Sequence, residues 1–291
     1  MKKTNIIIIA FAALSLTGCK SLYGNYERPD VKTSGIVRDP VDDKAALAGS
    51  SDFGNLPWRS VFTDPQLQTL IEKALENNPD LLNAALNIDI AEQQLRASKL
   101  AFLPSVVFAP NGSISHFGTH TSSTQAYTLP VTASWDVDLF GKLRSQKKAA
   151  QMALIQSRDY KVAVQTNLIC NVANLYYTLL MLDRQKQIVD DMSGLTKNTW
   201  DMMKLQMEFG RARSTSVQSA EAAYYSVQTQ GADIKRQIRE TENTLSLLLG
   251  EPAQSIARGS LENQSLPTNF SGGIGVQLLS NRADVHANEM A

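Results

Sequence analysis

Apolar residues in the second half of the chain recur at helical spacing over a very long stretch. Between Lys142 and about Glu208 there is no proline, and Gly194 is the sole glycine. That predicts one helix of roughly 100 Å at about 1.5 Å rise per residue, far beyond the globular average of about 11–12 residues. The pattern breaks at Phe209-Gly210-Arg211-Ala212-Arg213-Ser214-Thr215-Ser216 and resumes as a second helix to Leu249. In the return helix Val217, Ala220, Tyr224, Val227, Gly231, Ile234, Ile238, Thr241, Leu245 and Leu248 alternate by three and four. This is a heptad seam, which drives antiparallel helices into left-handed coiled-coil packing. Residues 141–250 thus read as one long helical hairpin, which by itself suits a structural coiled coil.

The flanks change that picture. Residues 20–56 are polar, carry Pro29 and Pro40, and show no period, which predicts an extended linker. Helical signals start at Thr63-Asp64-Pro65, an N-cap candidate followed by proline at the first helical position. Leu67, Leu70, Ile71, Ala74 and Leu75 then form one apolar stripe, which stops at Asn77-Asn78-Pro79. A further seam follows in Leu81, Ala84, Ile88, Ala91, Leu95, Ser98 and Phe102, ended by Pro104.

Between Ser105 and Phe140 the period switches from about 3.5 to 2. Tyr127, Leu129, Val131, Ala133, Trp135, Val137 and Leu139 alternate with Thr128, Pro130, Thr132, Ser134, Asp136 and Asp138, which predicts one two-faced strand over 127–139. A weaker strand precedes it, with Val106, Phe108 and Ile114 on one parity. The linking residues 116–124 are loop-like, and His116 and His120 read as exposed loop histidines. Together these make a long β-hairpin. Tyr127 and Trp135 share its apolar face, roughly 26 Å apart along a strand. That is close to the outward apolar band of a transmembrane barrel with its aromatic girdles. Tyr127, Trp135 and Phe140 are therefore the candidate membrane-interface aromatics; an edge hairpin of a soluble sandwich is the competing reading.

Composition narrows the chemistry. Lys plus Arg and Asp plus Glu both number 28 in 291 residues, so no basic surplus points to nucleic acid. Two cysteines and three histidines leave little for a disulfide framework, a metal site or acid–base catalysis. No Ser-His-Asp arrangement, metal-spaced Cys/His cluster or phosphate loop is present. The chain is therefore read as no enzyme, without cofactor or metal. Cys170, in the middle of the long helix, is expected to be a small packing residue.

Met1-Lys2-Lys3 and the apolar run Ile6–Leu16 form a signal peptide over 1–18, since the run is too short to span a bilayer. Leu16-Thr17-Gly18-Cys19 resembles a bacterial lipobox. The resemblance implies lipidation of Cys19, and Lys20 after it favours the outer membrane.

Three further segments resemble the TolC-like outer-membrane efflux factors, in the lipoprotein branch serving resistance-nodulation-division pumps. The first runs from Pro57-Trp58 through Phe62-Thr63-Asp64-Pro65-Gln66-Leu67 to Asn78-Pro79-Asp80-Leu81. The second is Trp135-Asp136-Val137-Asp138-Leu139-Phe140-Gly141-Lys142-Leu143, the family's strand-to-helix junction. The third is the Phe209-Gly210 turn with Thr215-Ser216-Val217-Gln218-Ser219-Ala220-Glu221, closing at Leu247-Leu248-Leu249-Gly250. With the lipobox they cover nearly all of the chain.

The resemblance implies a mainly α fold with a membrane β-hairpin, one repeat of a β-barrel/α-barrel channel. It divides the chain into the signal peptide 1–18, anchored linker 19–56, first periplasmic helices 57–103, outer-membrane hairpin 104–140, periplasmic helical hairpin 141–250 and connector 251–291. It implies a homotrimer with a twelve-stranded barrel, outer-membrane lipid at Cys19, a periplasmic adaptor protein and an inner-membrane pump. The tunnel is passive; metals, drugs, dyes and detergents all stay open as cargo. A helix in a tube wall needs a wide apolar zone, and Ile169, Val172, Ala173, Tyr176 and Leu180 widen the heptad line Leu154, Leu168, Leu175, Leu182 and Val189, which Lys161 interrupts. The adaptor-docking tip falls on Gly210, Arg211, Arg213, Ser214, Thr215 and Ser216, with Ser216 where the family commonly has an acidic residue.

The family carries two tandem copies of this unit. Ala283-Asp284-Val285 answers Pro79-Asp80-Leu81 as the opening of a second copy, and the chain stops at Ala291. The expectation is a C-terminally truncated protomer: three such chains would bring six strands instead of twelve and would not conduct. A lipid-anchored periplasmic adaptor is the alternative of a different class. It should flank its helical hairpin with two halves of a small β module, whereas here a membrane-type hairpin lies on one side and a Gly/Ser-rich connector on the other.

Overall fold

The structure is a computed structural model that describes residues 57–116, 123–264 and 282–291. In chain order its elements are α1 (Trp58–Val61), α2 (Pro65–Asn77), α3 (Pro79–Leu100), β1 (Ser105–Phe108), β2 (Asn111–His116), β3 (Ser123–Thr128), β4 (Val131–Ser134), α4 (Lys142–Glu208), α5 (Ser214–Leu248), a 3₁₀ turn (Leu261–Asn263) and α6 (Ala283–Met290). The long helix α4 has 67 residues and packs against α2, α3, α5 and α6.

Helix boundaries follow local chemistry. Asp64 caps α2 by accepting from the Gln66 N–H at 2.8 Å, with Pro65 in the first turn. Asn78 caps α3 by accepting from Asp80 and Leu81 N–H, and its own amide donates to the Leu248 carbonyl at 3.0 Å. One buried side chain therefore both starts α3 and ties it to the end of α5. At the end of α4, Gly210 takes φ +69, with Gly210 N–H on the Met207 carbonyl and Arg211 N–H on that of Gln206. This is a Schellman motif, which satisfies the last helical carbonyls. Gly250 repeats it after α5 at φ +68, its N–H on Leu247 and that of Glu251 on Ser246.

The seams read from the pattern are the buried faces. Every residue of the α5 seam from Val217 to Leu248 is buried or half-buried, and so is every residue of the α3 seam from Leu81 to Phe102. The main core joins Leu67, Ile71 and Ala74 of α2 with Val172, Tyr176, Leu179 and Leu180 of α4, Leu245 of α5, Leu249 just past it, and Ile256 of the returning chain. A second cluster joins Ala91 and Leu95 of α3 to Leu154 of α4. Cys170 departs from expectation and is exposed. The buried line on α4 runs through Leu168–Ile169 and Val172–Ala173, and at about 100° per residue position 170 swings off it.

Two polar nodes clamp residues 251–264 onto this core. The Tyr176 hydroxyl donates to Asp64 Oδ2 at 2.5 Å and accepts from the Gly259 N–H at 3.2 Å, while Gln264 donates to the same carboxylate oxygen at 2.7 Å. Burial, aided by the bond to Asp64, pushes the Tyr176 phenol up to about 12. Desolvation works to raise the Asp64 carboxyl, but hydrogen bonds from Tyr176, Gln264 and the Gln66 and Leu67 backbone outweigh it and hold it below the usual carboxylate range. In the second node Arg258 is bidentate on Asp183 of α4 and also binds Glu242 of α5. The bond to Asp183 raises the guanidinium pKa against desolvation, with Glu242 assisting, so the charge is permanent.

The β-hairpin is shorter than its pattern predicts. β1 pairs with β4 and β2 with β3, both antiparallel, with one register running through both ladders. Ala109–Pro110 and Leu129–Pro130 interrupt it face to face, and the ladder ends at the Ser105–Ser134 pair instead of continuing to Leu139. By the Ala109 N–H bond to the Pro130 carbonyl, 105–134 is a hydrogen-bonded pair and 104–135 is not, so the next donor the ladder needs is Leu103, whose N–H is already taken by the Leu100 carbonyl at 2.9 Å. The Trp135 indole N–H donates to the Phe102 carbonyl at 3.1 Å.

Two outcomes follow. A methyl added at Gly210 meets nothing within 4 Å, whereas one at Gly250 lies 2.8 Å from the Asn77 carbonyl oxygen. Gly210→Ala is expected to cost about 1 kcal/mol from its positive φ alone, and Gly250→Ala at least about twice that, because it adds the clash. Urea unfolding of the two variants checks the order, and equal losses would contradict it. For Tyr176, the folded pKa lies above the unfolded value of 10.0. Its contribution is therefore complete below pH 10 and is lost as pH rises toward about 12. The stability gap between wild type and Tyr176→Phe should narrow over that interval; a constant gap would show that the phenol's ionisation is not linked to folding.

Candidate functional site

The residues singled out from the sequence fall into two groups at opposite ends of α4, separated by about 100 Å of helix. The structure does not bring them together. Cys19 lies outside the described residues, as do the linker, His120 and most of the loop between β2 and β3.

At one end is the turn from Phe209 to Ser216. Gly210 reverses the chain, and Arg213 has extended backbone at φ −89, ψ 150 and stands in the N-cap position of α5. An arginine side chain cannot accept a hydrogen bond, so α5 starts with no side-chain cap. Its free N–H groups and the helix dipole add to the positive charge of Arg211 and Arg213. Both arginines are exposed, and neither has an ion-pair partner among the described residues. Ser214, Thr215 and Ser216 are exposed in the first turn of α5. Phe209, which the sequence places at the head of the turn but not among the docking residues, is 72% exposed.

Just below the turn the two helices are stapled by aromatics. Trp200 stacks on Tyr224 with ring centroids 5.6 Å apart, and the Lys204 ammonium sits 4.0 Å from the Trp200 ring centroid. The turn is therefore a small cationic and aromatic surface on a stiff support.

At the other end is the hairpin. Its register puts Val106, Phe108 and Ile114 on the same face as Tyr127, Val131 and Ala133, with Ser105, Ser113, Thr128, Thr132 and Ser134 on the reverse. Tyr127, Trp135 and Phe140 are 71%, 63% and 88% exposed. Tyr127 lies across Gly112 on the neighbouring strand, its ring 3.1 Å from where a Cβ would stand. Asp138 links the hairpin to α4: its carboxylate accepts from the Leu143 and Arg144 N–H groups at 3.2 and 3.1 Å and from the Arg144 guanidinium. Gly141, at φ +79, makes the corner between them.

Among the described residues no group of three or more His, Cys, Asp or Glu side chains could hold a metal ion. No described helix is long and apolar enough to cross a membrane.

Known proteins share this arrangement. CusC of Escherichia coli, a cation efflux system protein, is 28% identical over 285 residues, covering 96% of this chain and 61% of that protein. TtgC of Pseudomonas putida, a toluene efflux pump outer membrane protein, is 27% identical over 300 residues, covering 98% of this chain and 60% of its own length. A crystal structure of CusC superimposes with a TM-score of 0.72 at 26% identity, over 93% of this chain and 60% of that one. The chain thus spans about 60% of the length of the curated relatives it matches. The profile of the outer membrane efflux protein family matches residues 70–251, from the middle of α2 through the Schellman turn after α5. The long helical hairpin, the exposed β-hairpin and the junction between them are the family's architecture, and the chain belongs to the outer membrane efflux protein family.

Proposed function

We propose that the chain forms one wall section of an outer-membrane export channel, lipid-anchored through Cys19 and assembled as a homotrimer. In this reading residues 104–140 contribute barrel strands, 141–250 cross the periplasm, and the turn at Gly210 to Ser216 docks on a periplasmic adaptor that joins an inner-membrane pump. The tunnel is passive and carries out no chemical step. The observation that carries the reading is the hairpin: a ladder with one apolar face, fully exposed, set on the end of a helix about 100 Å long. Such a face in water would be an aggregation liability; in a closed barrel it meets lipid while the polar face lines the lumen. Relatives named for cations and for toluene share the fold, so relatedness does not select the cargo.

Single probes that sense polarity, attached to cysteines placed at Phe108, Val131, Val107 and Thr132 with Cys170 replaced by serine, test the hairpin in native membranes. Lipid-like emission is expected at positions 108 and 131 and water-like emission at 107 and 132. The same environment at all four would sink the barrel reading. For the turn, Arg211→Glu with Arg213→Glu is expected to lower crosslinking to the adaptor at least about tenfold, since like charges would then face an acidic partner surface. Unchanged crosslinking and export would remove the turn from the interface.

A further inference from the structure

The strand-to-helix junction holds a group of residues that the channel reading leaves unused. Where the end of α3 meets the first turns of α4, a cleft of about 680 Å³ is lined by Lys99 and Phe102 on one side and Arg144, Lys147, Lys148 and Met152 on the other. No acidic residue lines it. Arg144 is held by Asp138, whereas Lys99, Lys147 and Lys148 make no ion pair among the described residues. Lys99 is accounted for in part by its place in the last turn of α3, where a cation suits the helix dipole. Lys142, Arg144, Lys147 and Lys148 are not: they crowd the opening turns of α4, where the dipole disfavours cations, and no acidic residue stands in that first turn. Lys99, Lys147 and Lys148 around one cleft repel each other, and an anion between them relieves the repulsion.

The surroundings say what kind of anion. Phe102 and Met152 give the cleft apolar walls, and the Phe102 carbonyl is the acceptor for the Trp135 indole, at the foot of the hairpin's apolar face. Leu100, Leu103, Leu139 and Phe140 are exposed beside it. A free phosphate ion has no use for that apolar rim; a phosphodiester attached to hydrocarbon chains uses both. We propose that this cleft binds the headgroup of an anionic phospholipid, with Lys99, Arg144, Lys147 and Lys148 around the phosphate and the acyl chains along the apolar foot of the hairpin. This rests on the hairpin being a membrane element. The site would set the depth of the channel in the bilayer, because each cation near an anionic surface adds to the attraction.

The test uses the purified full-length chain in detergent micelles, titrated with phosphatidylglycerol or with zwitterionic phosphatidylcholine, with bound lipid counted by native mass spectrometry. Phosphatidylglycerol should be retained at least about tenfold more tightly than phosphatidylcholine. Lys99→Gln, Lys147→Gln and Lys148→Gln combined should weaken its retention roughly a hundredfold while far-UV helix content stays the same. Lys235→Gln with Arg239→Gln, on the exposed face of α5, should change nothing. Equal retention of the two lipids, or an unaffected triple variant, overturns the headgroup site and leaves the channel reading standing. Displacement of the lipid by millimolar inorganic phosphate would mark a simple anion site and overturn it too. Retention of neither lipid would overturn both readings.

Discussion

A helix of 67 residues cannot fold back on itself to hide its own apolar stripe, and the rest of the described chain is arranged around that constraint. Different partners cover successive segments. The first third of α4 meets α3 through Leu154 against Ala91 and Leu95, with Arg158 paired to Glu92. The adjacent Asp159 meets His286 of α6, so the same turn of α4 has a neighbour on two sides. The middle third lies in the main core with α2, the end of α5 and the returning chain. The last third runs alone with α5, stapled by Ser193 to Gln228 and Trp200 to Tyr224. A helix with neighbours on both flanks is a plank in a wall, and its apolar zone must be wider than one coiled-coil seam.

The middle of that plank is where the chain spends its buried polar groups. Asn78, Asp64, Tyr176 and Arg258 each join segments far apart in sequence, and each is satisfied by several partners. Such nodes add little net stability over apolar packing, but removing one partner strands another. Their service is registration. They place residues 251–264 on the α2–α4–α5 core at one height, and with them whatever the following chain builds. Toward the ends of α4, Asp138 ties the hairpin side to Leu143 and Arg144, and the Trp200 indole N–H is buried on the turn side without a partner among the described residues.

What stays exposed is as informative as what is covered. The hairpin shows a largely apolar face, the Gly210 turn shows Phe209 and two arginines with no ion pair among the described residues, and the junction shows a cluster of cations beside leucines and phenylalanines. A chain that buries its α3 and α5 seams completely has no difficulty making a core, so these three surfaces are not failures of packing.

The sequence by itself determined the elements governed by neighbours within one or two turns. The seams of α3, α4 and α5, the cap before Pro65, and the breaks at Asn78–Pro79 and Gly210 were all legible, because periodicity, capping and proline–glycine chemistry are local. The motifs around Pro65, Gly141 and Gly210 were enough to suggest the family. Everything that depended on a partner far along the chain was decided only by tertiary structure. The strand pattern continued to Leu139, yet pairing stopped at Ser134 because the Leu103 N–H, the next donor of the ladder, bonds back to the Leu100 carbonyl. Cys170 looked like packing and faces outward, since a heptad line does not say how wide its buried zone is. Gly250 is required twice, by its own φ and by the carbonyl of Asn77 lying against it. The basic cleft unites residues more than forty positions apart, and no window of the sequence holds both of its walls.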